Sequence, residues 1–343
     1  MYLRKIRSTV ILGVIGALIS MTEVRSATTV IPSTSLSSYS SFESYWAYLY
    51  PWGSDHNGSA RMKGSSSDHS NVVVGSNTLS LIATPTSNPS PPTSTSNPHP
   101  AIRYASGAVH AKSQITVTST NGYTISGEFS APTAKGTWPA FWLTAVNGWP
   151  PEADIGEWKG TANNWFNTFN TSSIVRSDLV SWPTDLSFHS LKAVLTAQPN
   201  NADVQLQFYM DNALRATQYG QGFVGKPLSL IVNLQMEGSS GSPGPTGTTT
   251  YKIRNVVMTR TGIVEIFSGT PLRNNPLKLL KCLPYPGSFP SIAGTHFPNI
   301  AIIPSGSGTS SGLRIHSICL LRSLFDMFCL LALPQRRSDG VMA

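Results

Sequence analysis

Between residues 40 and 260 the sequence is a series of short β-type runs separated by Gly, Pro, Asn and Ser, and no long segment repeats its apolar residues at helical spacing. Residues 204–210 alternate apolar and polar side chains, and Asp211 and Asn212 then supply two residues that tolerate the left-handed conformations of a hairpin turn. Many short strands without intervening helices are typical of a sandwich or barrel, so we predict an all-β fold. The predicted strands span residues 72–74, 77–83, 108–118, 123–131, 138–145, 152–158, 165–171, 188–196, 204–210, 227–236 and 250–260.

A segment rich in Pro and Ser interrupts this series at residues 84–100. Its composition is unsuited to a β-ladder, yet the strand-like sequence on both sides of it is needed to complete one sandwich. We therefore predict a long loop at the rim of one domain rather than a linker between two domains.

The first 26 residues have the layout of a cleaved secretory signal. Three basic residues lie within the first seven positions, an uncharged apolar stretch follows at residues 10–21, and small residues surround Ser26 and Ala27. A membrane span needs about 20 apolar residues, which is longer than this stretch. We therefore predict a signal peptide at residues 1–26 and a secreted, extracellular protein that associates with cell walls and has no stable membrane insertion.

The sequence changes character after Ile263. Residues 264–343 show no sustained period, and the apolar stretch near the end is interrupted by Arg322 and Asp326, unlike the unbroken apolar terminus of a lipid-anchor signal. We predict that this segment is a poorly ordered extension and that residues 27–263 form the domain. All three cysteines lie in the extension, so the domain must be stabilised by apolar burial rather than by disulfides.

The distribution of charge argues against a nucleic-acid partner. The whole chain carries a formal net charge of +8, but residues 27–263 contain 13 Lys and Arg against 12 Asp and Glu. The domain is therefore nearly neutral and lacks the basic face that contacts with phosphate require.

Three carboxylates lie within six residues, at Glu152, Asp154 and Glu157, in apolar and aromatic surroundings. On a regular strand Glu152 and Asp154 face the same side, and Glu157 faces the other. A single β-bulge, for which Gly156 is suited, adds one residue and turns Glu157 onto the face of the other two. The spacing therefore predicts a bulged strand with three convergent carboxylates.

Such a convergence suits the cleavage of a glycosidic bond. Four pleated steps span about 13 Å, and two Glu side chains that lean towards each other leave about 5 Å between their carboxyl groups. A retaining glycosidase needs this separation, because one carboxylate attacks the anomeric carbon while the other protonates the leaving oxygen. We expect Asp154 to hydrogen-bond to the nucleophile and, as a like charge, to help keep Glu157 protonated.

Tryptophans accompany the acids. Trp138 and Trp142 share one strand face, and Trp149 lies in the segment that leads to the acids. Rings at these positions would line a cleft in which sugars stack, although a place in the core is equally compatible with each of them. Trp158 lies on the face opposite Glu157 and is predicted to be a core residue.

At these residues the chain resembles glycoside hydrolase family 16, the laminarinase-like β-glucanases, whose pattern is a W-P-A-F-W-L strand followed by E-I-D-I-x-E. The resemblance runs from about Tyr45 to Arg260. It implies a jelly-roll β-sandwich of two curved antiparallel sheets with a concave substrate cleft. It also implies Glu152 as nucleophile, Glu157 as acid/base and Asp154 as helper, and the six-residue form of the motif is most similar to the β-1,3-glucanase branch.

The sequence departs from the family pattern at three positions. Ala153 replaces the usual Ile, Glu128 stands where relatives often carry Arg, and Asn170 falls where many have His. These departures leave the catalytic carboxylates intact and bear on the substrate contacts, for which the candidates are Trp138, Trp142, Trp149 and Asn170.

The resemblance implies an endo-β-1,3(4)-glucanase that acts by double displacement, needs no cofactor for catalysis, and works as a monomer on a β-glucan. A structural calcium on the outer face would be compatible with the relatives, but the sequence shows no set of ligands for it. Two sequons, Asn57-Gly58-Ser59 and Asn170-Thr171-Ser172, fit a secreted glycoprotein. A cell-wall transglycosylase with the same motif and a non-catalytic lectin with the same sandwich remain open alternatives. Retention of all three acids argues against the lectin.

Overall fold

Two large β-sheets make up most of the computed structural model, which describes residues 19–269. The strands are β1 (Ile19–Ile31), β2 (Trp46–Tyr48), β3 (Ala60–Met62), β4 (Val72–Gly75), β5 (Thr78–Pro85), β6 (Tyr104–Ser106), β7 (Ala108–Ala111), β8 (Asn121–Ser130), β9 (Thr137–Ala145), β10 (Glu152–Glu157), β11 (Asn163–Phe169), β12 (Val175–Ser181), β13 (His189–Ala197), β14 (Val204–Met210), β15 (Ala213–Gly220), β16 (Leu228–Met236) and β17 (Thr249–Gly269). The helical elements of these residues are α1 (Tyr39–Tyr45) and two short 3-10 helices, Ser33–Leu36 and Gly238–Ser240.

The strands are distributed over one ten-stranded and one seven-stranded sheet. The ten-stranded sheet has the order β15-β14-β13-β8-β17-β5-β6-β3, with β1 beside β17 and β4 beside β5. The seven-stranded sheet has the order β12-β11-β10-β9-β16-β7-β2. Neighbouring strands are antiparallel, except for the parallel pair β3 and β6. The all-β jelly-roll sandwich predicted from the sequence is confirmed.

The core lies between the two sheets, where alternate side chains of each strand meet. In β14, Val204, Leu206 and Phe208 are buried, whereas the residues between them are partly exposed. Phe208 of the ten-stranded sheet stacks on Phe166 of the seven-stranded sheet, with ring centroids 5.0 Å apart. Each Å² of apolar surface buried in this way contributes about 25 cal/mol, so a domain without cysteines can be stable.

Each of the eleven predicted strands overlaps an observed one, and the predicted turn joins β14 to β15. Asp211 and Asn212 in this turn have φ angles of 49° and 63°, in the left-handed region that these residue types tolerate. The sequence pattern does not reveal β12 and β15. Both are edge strands with many exposed side chains, and the buried positions of β15 are Ala216, Gln218 and Gly220, so neither strand shows the alternation of apolar and polar residues that identifies a half-buried strand. The other elements that the pattern does not predict are β1, β2, β3, β6, α1 and the two 3-10 helices.

The Pro- and Ser-rich segment is a loop within one sheet, as predicted. The strand before it, β5, and the strand after it, β6, pair directly through Thr84 and Ala105. Because the flanking strands are neighbours, the segment between them connects parts of the same domain.

Both chain termini lie largely outside the described residues. Of the predicted signal peptide, residues 1–18 lie outside them, whereas residues 19–26 belong to β1, which pairs with β17. Of the predicted extension, residues 264–269 belong to β17, and the rest, including the three cysteines, lies outside. The signal peptide and the extension therefore stay predictions. Within residues 19–269, none of the helices has the length and apolar character that crossing a membrane requires.

Candidate active site

The three predicted carboxylates lie together on β10. In the pairing of β10 with β9, the register shifts by one residue between Asp154 and Gly156. This shift is the predicted β-bulge, and it turns Glu157 onto the face of Glu152 and Asp154. That face of the seven-stranded sheet points away from the core and is called the open face hereafter.

Gly156 is required at the bulge for steric reasons. A Cβ atom at this position would lie 2.8 Å from Leu191 Cδ1 and 2.9 Å from the ring of Trp158. Both neighbours are fully buried, so the close-packed core leaves them no room to move. Trp158 is thus a core residue, as predicted from its position in the strand.

Asn164 of the neighbouring strand β11 makes hydrogen bonds to the backbone of the bulge. Its Oδ1 accepts a hydrogen bond from the backbone N–H of Glu157 at 2.8 Å, and its Nδ2 donates to the carbonyl oxygen of Ile155 at 3.4 Å. Asn164 is fully buried. The extra residue of a bulge leaves backbone groups without ladder partners, and this amide supplies them.

Glu157 accepts three contacts through its two oxygens. Oε1 accepts a hydrogen bond from Trp138 Nε1 at 2.8 Å, and Oε2 accepts one from Asn167 Nδ2 at 2.7 Å. Lys159 Nζ lies 3.0 Å from Oε2 and also 4.7 Å from the centre of the Trp165 ring. The carboxylate is therefore held in one orientation by donors from β9, from β11 and from Lys159, which follows the end of β10.

The partners of Glu152 and Asp154 differ from the sequence-based expectation. Glu152 Oε2 accepts a hydrogen bond from Trp149 Nε1 at 2.8 Å, and Asp154 Oδ2 accepts one from Asn167 Nδ2 at 2.7 Å. The predicted hydrogen bond between Asp154 and Glu152 is not found among the described residues, and this prediction is corrected. Residues two apart on a strand lie about 6.6 Å apart along it, whereas Asn167 lies directly opposite Asp154 in the pairing of β10 with β11.

The pKa values of Glu152 and Asp154 are both raised at this site. Burial, reinforced by the charge of Glu157, raises the pKa of Glu152 from its ordinary 4.5 to about 7, although the hydrogen bond from Trp149 opposes the shift. Burial and the charges of Glu157 and Glu152 hold the pKa of Asp154 well above its usual range. In the pH range between 4.5 and 7 the folded protein therefore binds more protons than the unfolded chain does, so these groups make stability fall as pH rises.

This linkage predicts a pH-dependent melting temperature. Burial lowers the pKa of His56 to about 4, so this group gives a slope of opposite sign below pH 6.5 and the prediction concerns the difference between two proteins. Between pH 4.5 and 7 the Tm of Glu152→Gln should rise relative to that of the wild type, because the amide has no proton to lose. Calorimetry at several pH values measures both slopes. Glu128→Gln is the control: burial alone would raise the pKa of Glu128, but hydrogen bonds from Asn255 and Arg254 lower it, so this variant should keep the wild-type slope. Equal slopes in wild type and Glu152→Gln would show that Glu152 is not protonated in the folded state.

The three predicted sugar-stacking tryptophans have different environments. Trp149 exposes 49% of its surface, whereas Trp138 and Trp142 expose only 8% and 5%. Trp138 donates to Glu157, and Trp142 Nε1 donates to Asn233 Oδ1 at 2.7 Å. Among the three, Trp149 therefore has the exposed ring, and the other two hold polar groups of the site in place.

Trp52 is a second exposed aromatic residue at the site, with 47% of its surface accessible. Its ring lies edge-on to Trp142 at 6.1 Å and stacks on Tyr50 at 5.0 Å with an interplanar angle of 4°. His56 stacks on Trp142 at 5.7 Å, and burial lowers the pKa of His56 to about 4, so the imidazole is neutral. Trp52 and His56 lie some ninety residues before Trp142, and sequence spacing carries no signal of their proximity.

The rim loop holds Trp52 in place. Trp52 Nε1 donates to the carbonyl oxygen of Asp55 at 3.1 Å. The Asp55 carboxylate accepts two hydrogen bonds from Arg61, at 2.7 and 2.8 Å, and one from the backbone N–H of Thr95 at 2.8 Å. The loop at residues 84–100 is thus tied to the segment that carries Trp52, and these hydrogen bonds restrain the position of the ring.

Asn170 directly follows Phe169, the residue of β11 that lies opposite Glu152. Its Oδ1 accepts a hydrogen bond from the backbone N–H of Gln221 at 2.8 Å. Its role as a substrate contact stays a prediction. Within the described residues, no group of three or more His, Cys, Asp or Glu side chains is placed to hold a metal ion.

Comparison with known proteins adds independent evidence. The sequence is 73% identical over 236 residues to a galactan endo-β-1,3-galactanase of Flammulina velutipes, an alignment that covers 69% of this chain and 92% of that protein. No protein-family model matches the sequence. The fold is similar to that of a non-specific endo-β-1,3(4)-glucanase from glycoside hydrolase family 16, with a TM-score of 0.50 and 15% identity over 70% of this chain and 91% of that chain. It is also similar to an endo-1,3-β-glucanase from Streptomyces sioyaensis, with a TM-score of 0.50 and 17% identity over 70% of this chain and 96% of that chain.

Three findings point to the same family. They are the bulged strand with three acids, the jelly-roll sandwich, and the high identity to a galactanase over 92% of the length of that protein. The two structural relatives support the fold, and the sequence relative supports the family. This chain therefore belongs to glycoside hydrolase family 16 and is a glycoside hydrolase.

Proposed function

We propose that this chain is a secreted, retaining endo-β-1,3-galactanase. The observation that carries the mechanism is the bulge of β10, which brings Glu152 and Glu157 onto one face. The substrate rests on the 73% identity to a protein named as a galactan endo-β-1,3-galactanase. The family resemblance alone favoured β-1,3(4)-glucan, and the stronger similarity to the galactanase moves the proposal to β-1,3-galactan.

The proposed reaction has two steps. Because the pKa of Glu152 is about 7, the reaction starts from the enzyme molecules in which Glu152 has lost its proton. A carboxylate oxygen of Glu152 then attacks the anomeric carbon while Glu157 gives its proton to the glycosidic oxygen, which leaves as the hydroxyl of the departing chain. Glu157, now ionised, takes a proton from water, and the resulting hydroxide displaces Glu152 from the anomeric carbon. Two inversions at this carbon give net retention of the β configuration.

The open face offers aromatic surfaces on both sides of the carboxylates. Trp149 contacts Glu152, on the side of β10 and β11, whereas Trp52 lies against Trp142 of β9, on the other side of β10. The C–H face of a pyranose packs well on such rings. Exposed platforms on both sides suit a chain that continues in both directions, which is the substrate of an endo-acting enzyme.

Trp52→Ala tests this platform. Loss of one stacked sugar should cost about 1 kcal/mol, so KM for long galactan should rise about five-fold while kcat changes little. Tyr219→Ala removes an aromatic residue of similar exposure, 49%, from the ten-stranded sheet and should leave KM unchanged. An unchanged KM in Trp52→Ala would remove Trp52 from the substrate path.

The substrate proposal is tested by incubating the purified protein with β-1,3-galactan, laminarin, barley β-glucan and chitin and sizing the products by chromatography. Short galacto-oligosaccharides from galactan, with little release from the other polymers, are expected. Preferential cleavage of laminarin or barley glucan would return the proposal to β-1,3(4)-glucan. Products longer than the starting chains would favour the transglycosylase, and binding without turnover would favour the lectin.

The stereochemistry provides a separate test of the mechanism. Proton NMR of the first product, recorded before mutarotation, should show the β-anomer. An initial α-anomer would mean that water attacks directly, in a site with a wider separation of the two carboxylates.

A further inference from the structure

The side-chain amide of Asn167 bridges two of the three acids of this site. Asn167 lies on β11 opposite Asp154, exposes 1% of its surface, and donates one hydrogen bond to Asp154 Oδ2 and one to Glu157 Oε2, each at 2.7 Å. A primary amide has two N–H donors, so both are used on two acids. The amide oxygen is buried and has no hydrogen-bond partner among the described residues.

The orientation of this amide follows from its surroundings. If the amide were turned over, the two hydrogen bonds that its N–H groups donate to Asp154 and Glu157 would both be lost. Both N–H groups of the amide are therefore committed to the two acids.

We propose that Asn167 is a positioning residue for the acid/base step, which it serves by holding the Glu157 carboxylate between its own amide and the Trp138 indole and by linking Glu157 to Asp154. This inference rests on the proposed glycosidase mechanism. Glu157 must aim one oxygen at the glycosidic oxygen and later at a water molecule, and a carboxylate held at both oxygens cannot rotate away between the two steps.

A comparison with Asn164 separates this role from a structural one. Asn164 is a buried asparagine on the same strand, and its hydrogen bonds go to the backbone of Glu157 and Ile155. The hydrogen bonds of Asn167 among the described residues go to the side chains of two acids. Replacing Asn164 should disturb the backbone of the bulge, because the bulge loses two hydrogen bonds. Replacing Asn167 removes hydrogen bonds to the side chains of the two acids and leaves those of the bulge backbone in place.

Asn167→Ala tests the proposal with two substrates that differ in their need for an acid. Cleavage of β-1,3-galactan needs a proton on the leaving sugar, whereas release of dinitrophenolate from an aryl β-1,3-galactobioside does not. We expect kcat/KM for galactan to fall about 100-fold, and the initial burst rate of dinitrophenolate to fall less than about ten-fold. Asn164→Ala is the matched control and should reduce both rates by similar factors.

A second variant keeps the test informative if Asn167→Ala does not fold, as judged by circular dichroism. Asn167→Leu preserves the approximate shape, removes both donors, and should show the same dependence on the leaving group. Similar losses on both substrates, or a loss on galactan below about three-fold, would overturn the positioning role. Failure of the proposed function is distinguishable, because the wild-type protein would then cleave neither substrate.

Discussion

Glu152→Gln is expected to abolish the hydrolysis of β-1,3-galactan, with kcat reduced by about 10⁴-fold or more, because the amide cannot form the glycosyl-enzyme intermediate. The binding of galactan should change little. The two exposed rings of Trp52 and Trp149 remain, and Gln occupies nearly the volume of Glu and can still accept the hydrogen bond that Trp149 Nε1 makes with Glu152 Oε2. Reducing-sugar release measures the first effect, and affinity electrophoresis in a galactan gel measures the second.

Glu128→Gln is the matched control for this experiment. Glu128 lies on β8 of the ten-stranded sheet, where its carboxylate is 2.7 Å from Arg254 Nε, and the same chemical change there should leave kcat on galactan unaltered. If Glu152→Gln kept more than a few per cent of the wild-type kcat, a different group would have to be the nucleophile.

Glu157→Ala is expected to reduce galactan hydrolysis by about 10²–10⁴-fold, which is the usual contribution of general acid–base catalysis. An aryl galactoside with a good leaving group should still form the glycosyl-enzyme intermediate on Glu152, because its departure needs no proton. Water attack on that intermediate would then be slow, since the base that activates the water is missing. Azide needs no base, so added azide should restore turnover and give the β-galactosyl azide.

The product of this rescue identifies the role of Glu157. Formation of the β-azide in Glu157→Ala, together with no azide product from Glu152→Gln, is the expected pattern. In the pH profile of kcat/KM for the aryl substrate, the alkaline limb of the wild type should be flattened in Glu157→Ala. Absence of azide rescue, or an unchanged alkaline limb, would assign the acid/base role to another residue.

The local part of the site can be predicted from the sequence because its determinants are local. The alternation of a strand places Glu152 and Asp154 on one face, and Gly156 marks the position at which an extra residue can restore Glu157 to that face. The structure confirms this bulge. Trp158 is likewise confirmed as a core residue from its place in the alternation.

Contacts across strands could not be predicted in the same way. The expected hydrogen bond from Asp154 to Glu152 was based on nearness in sequence, but the donor that Asp154 uses is Asn167 on the neighbouring strand. Which residue of β11 faces Asp154 depends on the register of the two strands, and a shift by one residue would have placed Asn167 on the other side of the sheet. Trp52 approaches Trp142 through a loop that the sequence does not connect with the acids.

The sequence by itself thus determined the class of fold, the bulged strand and the pair of candidate catalytic glutamates, because each depends on the period of a strand and on the residues of one short segment. Only the tertiary structure decided which groups surround those glutamates. Asn167, Lys159 and Trp138 reach Glu157 from β11, from the segment after β10 and from β9, and their convergence depends on strand register, side-chain direction and packing. The same is true of protonation, since burial and the charge of Glu157 raise the pKa of Glu152 to about 7, and the order of the residues determines neither the burial nor the distance between the two groups.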